Sequence, residues 1–513
     1  MKWNIVEGSA YKGRSLGVDG QEMVNLYPET NGPLAKNTTA LRGTPGLFYL
    51  NAIGQNSGCR GLYVTARDRL LMVVGNKLYE VSPFWSYSVL GNLNSISGPV
   101  TFAEMDKQLD PTSSPISHVM LVDGVNGYIL NTLTNDFTII TGDYIPGSSV
   151  IAQNGFFIQN CNDSNKFIFS NQYDGLTWEA SLNFFSAESS PDPILYITLI
   201  NNQVWLYGSK TIEIWNFTGN PNELWQRSGI GYLMTGLIGR NAATNIMGQV
   251  VWIGSGKDGQ NIVWLSGSSY TPQRISTHAI EYIIGTLGDI NDCMAMSYVQ
   301  EGHQFVLFNF PVGNRTLCYD LTTDLWHERG ILNPSTGLNE RHWAMYLAAY
   351  QGKILVGDDA NNFLYYWDLG QYTDNGATIK RVRVCPHIHK ERQRVFFHQA
   401  EIDIEKGTAL QDSSRIWSSV TANFSWAWDD TRSDQCEGPE YYTLTNSSTP
   451  LSRIDGYLWG LGADATCSDS TTGAGPINVS YYNSLDGVWP GRVVSLFVKS
   501  KYGNDSTSVR LPY

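Results

Sequence analysis

The stretch NNQVWLYGSKTIEIWNFTGNP, residues 201–221, reads as two apolar strands joined at Gly208-Ser209. Side chains alternate across a strand, so Ile212 and Ile214 face one way while Glu213 and Trp215 face the other. A carboxylate beside an indole suits a sugar-cleaving or sugar-binding site. It suits an ordinary half-wet strand equally well. What decides between scaffold and site is whether the pattern recurs.

It recurs six more times. DRLLMVVGNKLYEV (68–81) turns at Gly75-Asn76, and HVMLVDGVNGYILN (118–131) turns near Asp123-Gly124. NGFFIQNCNDSNKFIFSN (154–171) turns at residues 160–165, and GQVVWIGSGKDGQNIVWLSG (248–267) at residues 256–259. HQFVLFNFPVGNRTLCYDL (303–321) turns at residues 311–314, and GKILVGDDANNFLYYWDL (352–369) near residues 358–362. Turn residues between short apolar strands mark hairpins. Their spacing of roughly 35–55 residues matches one four-stranded propeller blade. The fold class is therefore all-β, a β-propeller of six or seven blades, because radial repetition hides most sheet edges. A row of separate β-sandwiches is the competing architecture, but no clear linker separates the hairpins. Around this body, residues 1–44 are rich in Asn, Pro, Gly and Thr and read as an extended N-terminal arm. The propeller is assigned to 45–377. A turn-rich, then basic, stretch near 370–395 introduces a C-terminal β domain, sandwich- or barrel-like, over 378–513. One short helix is expected, capped by Ser276 or Thr277, carrying Ala279, Ile280, Ile283 and Ile284 at helical spacing and stopping at Gly285, as a clip between blades.

Composition agrees. Of 513 residues, 50 are Gly, 12% are aromatic and only 16% are charged, the balance of a turn-rich β protein. The formal net charge of -13 excludes a global basic field for gripping nucleic acid, though an acidic wall would let DNA pass. The seven cysteines, at 59, 161, 293, 318, 385, 436 and 467, are odd in number and show no CxxC pair. That argues against a disulfide framework or a zinc site and for reduced thiols in a protein assembled in a cytoplasm. The opening MKWNIVEGSAYKGRS has no apolar signal core, and no run of eighteen apolar residues exists to span a membrane.

The candidates for chemistry are few. SNQYDGLTW (170–178), with Ser170, Asp174, Gly175, Thr177 and Trp178, and SLDGVW (484–489) resemble Asp-box turns without the motif's spacing. A turn capped by a packed Trp accounts for both. His387 and His389 share a strand face and His398 follows, but no third ligand has a fixed spacing, so no metal is expected. Asp358-Asp359 and Asp429-Asp430 are adjacent pairs at turns; neighbours on a strand point to opposite faces, so they are poor candidates for an acid/base pair across one bond. Lys380, Arg381, Arg383, Lys390, Arg392 and Arg394 form the one basic patch, suited to DNA phosphates, to an acidic partner, or merely to a solvated strand edge. No catalytic residue, cofactor or metal site is assigned.

Several segments in order resemble the tail hub, or nozzle, proteins of short-tailed bacteriophages, the packaged-DNA stabilisation family. These are MVNLYPE (23–29), LRGTPGL (41–47), GNKLYEV (75–81), YGSKTIEIWNFTGNP (207–221), ISTHAIEYII (275–284) and CYDLTTDLWHERG (318–330). Beyond about residue 400 the resemblance rests on VSYYNSLDGVW (479–489). It implies a structural virion protein of the tail and not an enzyme. Such subunits form a hexameric ring below the portal and its adaptor (head-completion) protein. The ring extends and closes the DNA channel, retains packaged DNA, and carries tail fibres, spikes or a needle or plug. Residues 1–44 are then expected to bind a neighbouring subunit. The alternative from the residues alone is a propeller-fold glycosidase or carbohydrate-binding protein.

Overall fold

A computed structural model divides the chain into two units, Met1–Phe396 and Phe397–Tyr513. It describes residues 12–14, 20–32, 38–107, 116–190, 192–255, 261–267 and 269–385; beyond these it describes the strands of the second unit. All seven hairpins form, and each becomes the middle pair of strands of its own sheet. Blade 1 comprises Cys59–Val64, Leu70–Val74, Lys77–Val81 and Tyr87–Asn92; blade 2 comprises Thr101–Lys107, Ile116–Val122, Gly127–Asn131 and Phe137–Ile139. Blade 3 runs from Val150–Gln153 through Phe156–Asn160 and Lys166–Asn171 to Asp174–Trp178, with Phe184–Ser186 beside the third strand. Blade 4 comprises Ile194–Ile200, Gln203–Gly208, Ile212–Asn220 and Glu223–Leu233; blade 5 comprises Ala243–Ile246, Gln249–Ser255, Asn261–Ser266 and Gln273–Arg274. Blade 6 takes Met294–Gln300, His303–Phe310, Arg315–Asp320 and Leu325–Leu332; blade 7 takes Tyr346–Tyr350, Lys353–Gly357 and Phe363–Asp368.

The hairpins read as unbroken apolar runs because both faces of each sheet are covered. Leu71 and Val73 pack on Val119 and Leu121 of blade 2, whereas Leu70, Met72 and Val74 pack on Leu355 and Leu364 of blade 7. The contact between blade 7 and blade 1 closes the ring. Each such buried aliphatic side chain contributes about 1.5–3 kcal/mol. A second regularity joins the first and second strands of five blades. Two-residue turns at Asn154-Gly155, Asn201-Asn202, Met247-Gly248, Glu301-Gly302 and Gln351-Gly352 have both residues at positive φ. This mirror-image turn matches the twist of the strands it connects, and glycine at its second position adopts that conformation without strain.

Blade 7 obtains its fourth strand from the start of the chain. Gly46–Ala52 pairs antiparallel with Phe363–Asp368, with Leu47 opposite Trp367. Upstream, Glu22–Val24 lies parallel to the outer strand of blade 6 and antiparallel to Val382–Val384, which becomes the sheet's outermost strand. Leu26–Thr30 pairs with Thr39–Gly43. Met23 and Leu47 are fully buried and Tyr27 is 1% exposed. From Glu22 onward, the segment expected as an extended arm is thus integral to its own propeller. Its pairing partners lie some 300 residues away, so nothing local in its sequence reveals the pairing. The first unit likewise continues past residue 377 to Phe396.

Thr277 caps the helix His278–Thr286 by accepting from the Ile280 amide at 3.3 Å, and the helix passes Gly285 before ending at Leu287. Ile280, Ile283 and Ile284 enter the core shared by blades 4, 5 and 6. The described strands of the second unit form two antiparallel sheets. One joins Phe424–Trp428, Glu440–Asn446, Ile477–Tyr481 and Ala465–Cys467; the other joins Gly456–Gly460, Val493–Ser500 and Gly503–Arg510.

Candidate functional site

Glu213 and Trp215 do share a face, opposite Ile212 and Ile214. Ile212 and Ile214 pack toward blade 5, and Trp215 packs toward blade 3 against Phe167 and Phe185. Glu213 is 2% exposed. Its Oε1 accepts from the Ser189 amide at 2.7 Å and its Oε2 from the Trp215 indole N–H at 3.0 Å. The carboxylate joins the loop before blade 4 to a tryptophan and faces no open cleft. Glu213→Gln replaces one acceptor oxygen with a donor facing a donor. A loss of about 1–3 kcal/mol is expected in urea unfolding. An unchanged midpoint would contradict this role.

The remaining sequence candidates are also structural where the structure describes them. Ser170 is fully buried and accepts from the Phe157 amide at 3.1 Å. Trp178 donates its indole N–H to the Gly175 carbonyl at 2.8 Å, and Asp174 accepts from the Leu176 amide at 2.9 Å. This is a turn capped by its own tryptophan. Arg341 bridges Asp358 and Asp359 at 3.0 and 2.6 Å. Residues 484–489, His387, His389, His398, Asp429 and Asp430 lie outside the described residues. Among the described residues no three His, Cys, Asp or Glu side chains gather as metal ligands. Cys59, Cys161, Cys293, Cys318 and Cys385 are free thiols. Burial pushes the Cys59 thiol up to about 12, which suppresses its nucleophilic form.

Two of the three described residues of the basic patch hold the chain's own start. Arg383 donates to the Gln21 side chain at 2.9 Å, and Arg381 to the Thr44 carbonyl at 3.2 Å. Lys380 donates to the Gly337 carbonyl at 2.9 Å. Asn25, at φ 53° and 2% exposed, completes the clamp. Its side-chain amide donates to the carbonyls of Gly330 (2.8 Å) and Lys380 (3.0 Å) and accepts from the Gly330 N–H (3.0 Å). Lys390, Arg392 and Arg394 lie outside the described residues.

Two groups of residues had no signal in the sequence. Arg60, 4% exposed, donates to the carbonyls of Gly75, Ser95, Ser97 and Gly98 and to the Ser95 hydroxyl, at 2.6–2.9 Å. It fastens the loop 93–100 to blade 1. The second group lies beneath Tyr27. Arg329, 2% exposed, hydrogen-bonds the Tyr298 hydroxyl and sits 5.1–5.3 Å from the ring centroids of Tyr298, Phe305 and Trp367. Both ring nitrogens of the fully buried His327 lack a hydrogen-bond partner among the described residues. Histidine, arginine and tyrosine gathered together resemble catalytic equipment, but these side chains are buried.

Burial, with Arg329 nearby, holds His327 well below its ordinary pKa and pushes His342 down to about 3. An unfolded histidine binds its proton near pH 6.5, so each of these groups removes stability as the pH falls below that point. Burial acts oppositely on Asp374, raised to about 7, and on Asp358, raised to about 6. The fold protonates these two first and gains stability on acidification. The histidine contribution is therefore isolated by comparing variant with wild type. His342→Gln keeps an acceptor for the Ala344 amide, which His342 Nδ1 binds at 3.1 Å. Between pH 7 and pH 5 the variant is expected to gain about 2 kcal/mol on the wild type in urea unfolding. A constant difference would exclude a buried neutral His342.

Comparisons with known proteins enter at this point. The chain is similar to the extracellular domain of a one-component system, BT4673, of B. thetaiotaomicron, at 11% identity and TM-score 0.41. The match covers 93% of this chain and 60% of that one, so the chain spans well under two thirds of that structure. It is also similar to the Neurospora crassa Pan2 WD40 domain (7% identity, TM-score 0.39, 63% of this chain and 94% of that one). A third similarity is to YCF48 from Cyanidioschyzon merolae (10% identity, TM-score 0.37, 63% and 98%). No curated protein matches the chain. The family model described as "Bacteriophage P22 Gp10, beta-propeller" matches residues 1–371, which hold the four-stranded core of every blade and the N-terminal closing strands. The chain belongs to this phage packaged-DNA stabilisation family of β-propeller proteins.

Proposed function

We propose that the chain is a tail hub or nozzle subunit, forming a hexameric ring below the portal adaptor. The ring extends and closes the DNA channel, retains the packaged genome, and carries tail fibres, spikes or a needle or plug. The observation that carries this reading is the family match over residues 1–371. The geometry is compatible with a structural part: Glu213, Asp174, Ser170 and Arg341 are each occupied in holding strands or turns together. With a net charge of -13, the ring wall repels DNA and lets it pass without sequence-specific binding. Because Arg381 and Arg383 hold the chain's own start, DNA or partner contact from the basic stretch falls to Lys390, Arg392 and Arg394. The protein is then assembled in the host cytoplasm and resides in the virion tail.

Electron cryomicroscopy of virions with the protein tagged tests this. A six-fold ring on the tail axis is the expected result. Tag density elsewhere in the particle, or a purified monomer that hydrolyses a glycoside, would overturn it.

A further inference from the structure

The two-residue turns of blades 4 and 5 stand side by side. Gly248 lets them approach: a Cβ there would lie 3.2 Å from Asn201 Oδ1, and its φ is +77°. Beside them the link from the third to the fourth strand of blade 5 folds over toward blade 4. Tyr270 anchors it by stacking on Trp205 (centroids 6.1 Å apart, planes at 23°) and by donating its hydroxyl to Gln203 Oε1 at 2.9 Å. Gln203 is fixed in turn by its bond to Asn216 at 2.7 Å. Between turns and link lies an open surface pocket of about 410 Å³, with Asn201, Met247, Ser269, Thr271 and Gln273 exposed along its wall.

The lining of this cavity is chemically selective. Its polar members are Asn201, Gln249, Ser269, Thr271 and Gln273; its apolar members are Met247 and Leu265, with Gly248 and Gly267 completing the wall. Among the described residues the lining holds no charged and no aromatic side chain. Among the described residues, the side-chain amides of Asn201, Gln249 and Gln273 make no hydrogen bond within the protein, so donors and acceptors stay available at the wall. The corresponding seam one blade earlier is closed. There Gln153 donates to the Asn202 carbonyl and side chain at 2.7 and 3.2 Å, and Trp225 holds Gln153 at 2.8 Å.

We propose that this cavity is a binding site for a neutral saccharide. Each amide offers a donor and an acceptor side by side, the pattern that adjacent sugar hydroxyls complement. Met247 and Leu265 suit the C–H face of a pyranose. An anionic ligand finds no cation in the wall, and a nucleobase finds no ring on which to stack. A lipid chain would leave the amides unpaired. The volume falls within the range of small-molecule sites, about 300–1,000 Å³. The wall is anchored by Tyr270, so little ordering is required on binding.

The test places the full chain on an array of immobilised neutral oligosaccharides and their sialylated or uronate counterparts, then titrates the best neutral hit by calorimetry. Retention of neutral glycans is expected. Gln249→Ala and Gln273→Ala should each weaken the dissociation constant by about tenfold. Ser269→Trp, which fills the cavity from an exposed position, should abolish binding. Thermal melts of the three variants should match the wild type. No neutral glycan retained, retention of acidic glycans alone, or wild-type affinity in Ser269→Trp would each overturn the proposal. The site does not depend on the tail-hub reading: a ring in the virion with an empty array refutes the saccharide site alone.

Discussion

A chain lacking residues 1–52 is expected to show no cooperative melting transition and to leave the soluble fraction. The deletion removes the fourth strand of blade 7, exposing the backbone edge of Phe363–Asp368 and uncovering Tyr365 and Trp367, which are 1% and 5% exposed in the intact fold. It also takes away Met23, Asn25 and Tyr27, and with Tyr27 the cover over His303, Phe305 and His327. Leaving a sheet edge unpaired and the core beneath Tyr27 uncovered is not sustainable in a protein whose net stability is about 5–15 kcal/mol. The same truncation supplied with a synthetic peptide of residues 20–52 should recover a transition, because the strand's contribution is non-covalent pairing. Calorimetry and size exclusion read both results. A truncated monomer with a cooperative melt near the wild-type temperature would show that ring closure is dispensable.

Arg60→Met is expected to cost about 3–5 kcal/mol, because several buried carbonyl acceptors each lose a charge-assisted hydrogen bond, at about 1–3 kcal/mol per unsatisfied group. Methionine preserves much of the side-chain volume, so the loss isolates hydrogen bonding from packing. The carbonyls of Gly75, Ser95, Ser97 and Gly98 would each lose the guanidinium that satisfies them in the fold. Hydrogen exchange should localise the damage to residues 93–100 and the Gly75-Asn76 turn of blade 1. A midpoint shift below about 1 kcal/mol would mean that solvent replaces the guanidinium without penalty.

The middle strands of all seven blades were legible because both of their faces are buried. Runs such as LLMVV and FVLFNF carry apolar residues at consecutive positions, and the turn residues between them announce the hairpin. First strands were less visible. Ile194–Ile200 is buried only at every third position, which matches no strand alternation. A signal did exist in the pairs Asn154-Gly155, Met247-Gly248, Glu301-Gly302 and Gln351-Gly352, each immediately before a hairpin, and it marks the first turn of four of the seven blades. Residues 1–44 read as an arm because the partners of Met23 and Val24, Arg383 and Glu328, come from the far end of the propeller. Glu213 was correctly paired with Trp215 on one face, but alternation alone does not say that a neighbouring blade covers that face. Arg60 acts on backbone carbonyls, which leave no trace in residue type. The cavity beside Gly248 joins two blades across a seam, and no periodicity within one strand points to it.

Closing blade 7 with Gly46–Ala52 also sets a timetable for synthesis. That strand leaves the ribosome early, yet its partner Phe363–Asp368 follows only after six blades have been translated. At about 5–20 residues per second, the wait is on the order of 15–60 s. Throughout it, a seven-residue strand carrying Leu47, Phe48, Tyr49 and Leu50 has no mate on its own chain. The nascent chains on one messenger carry identical unmatched strands and identical late partners. The hazard for this protein is therefore exchange between siblings on a polysome, and its yield should fall as translation slows.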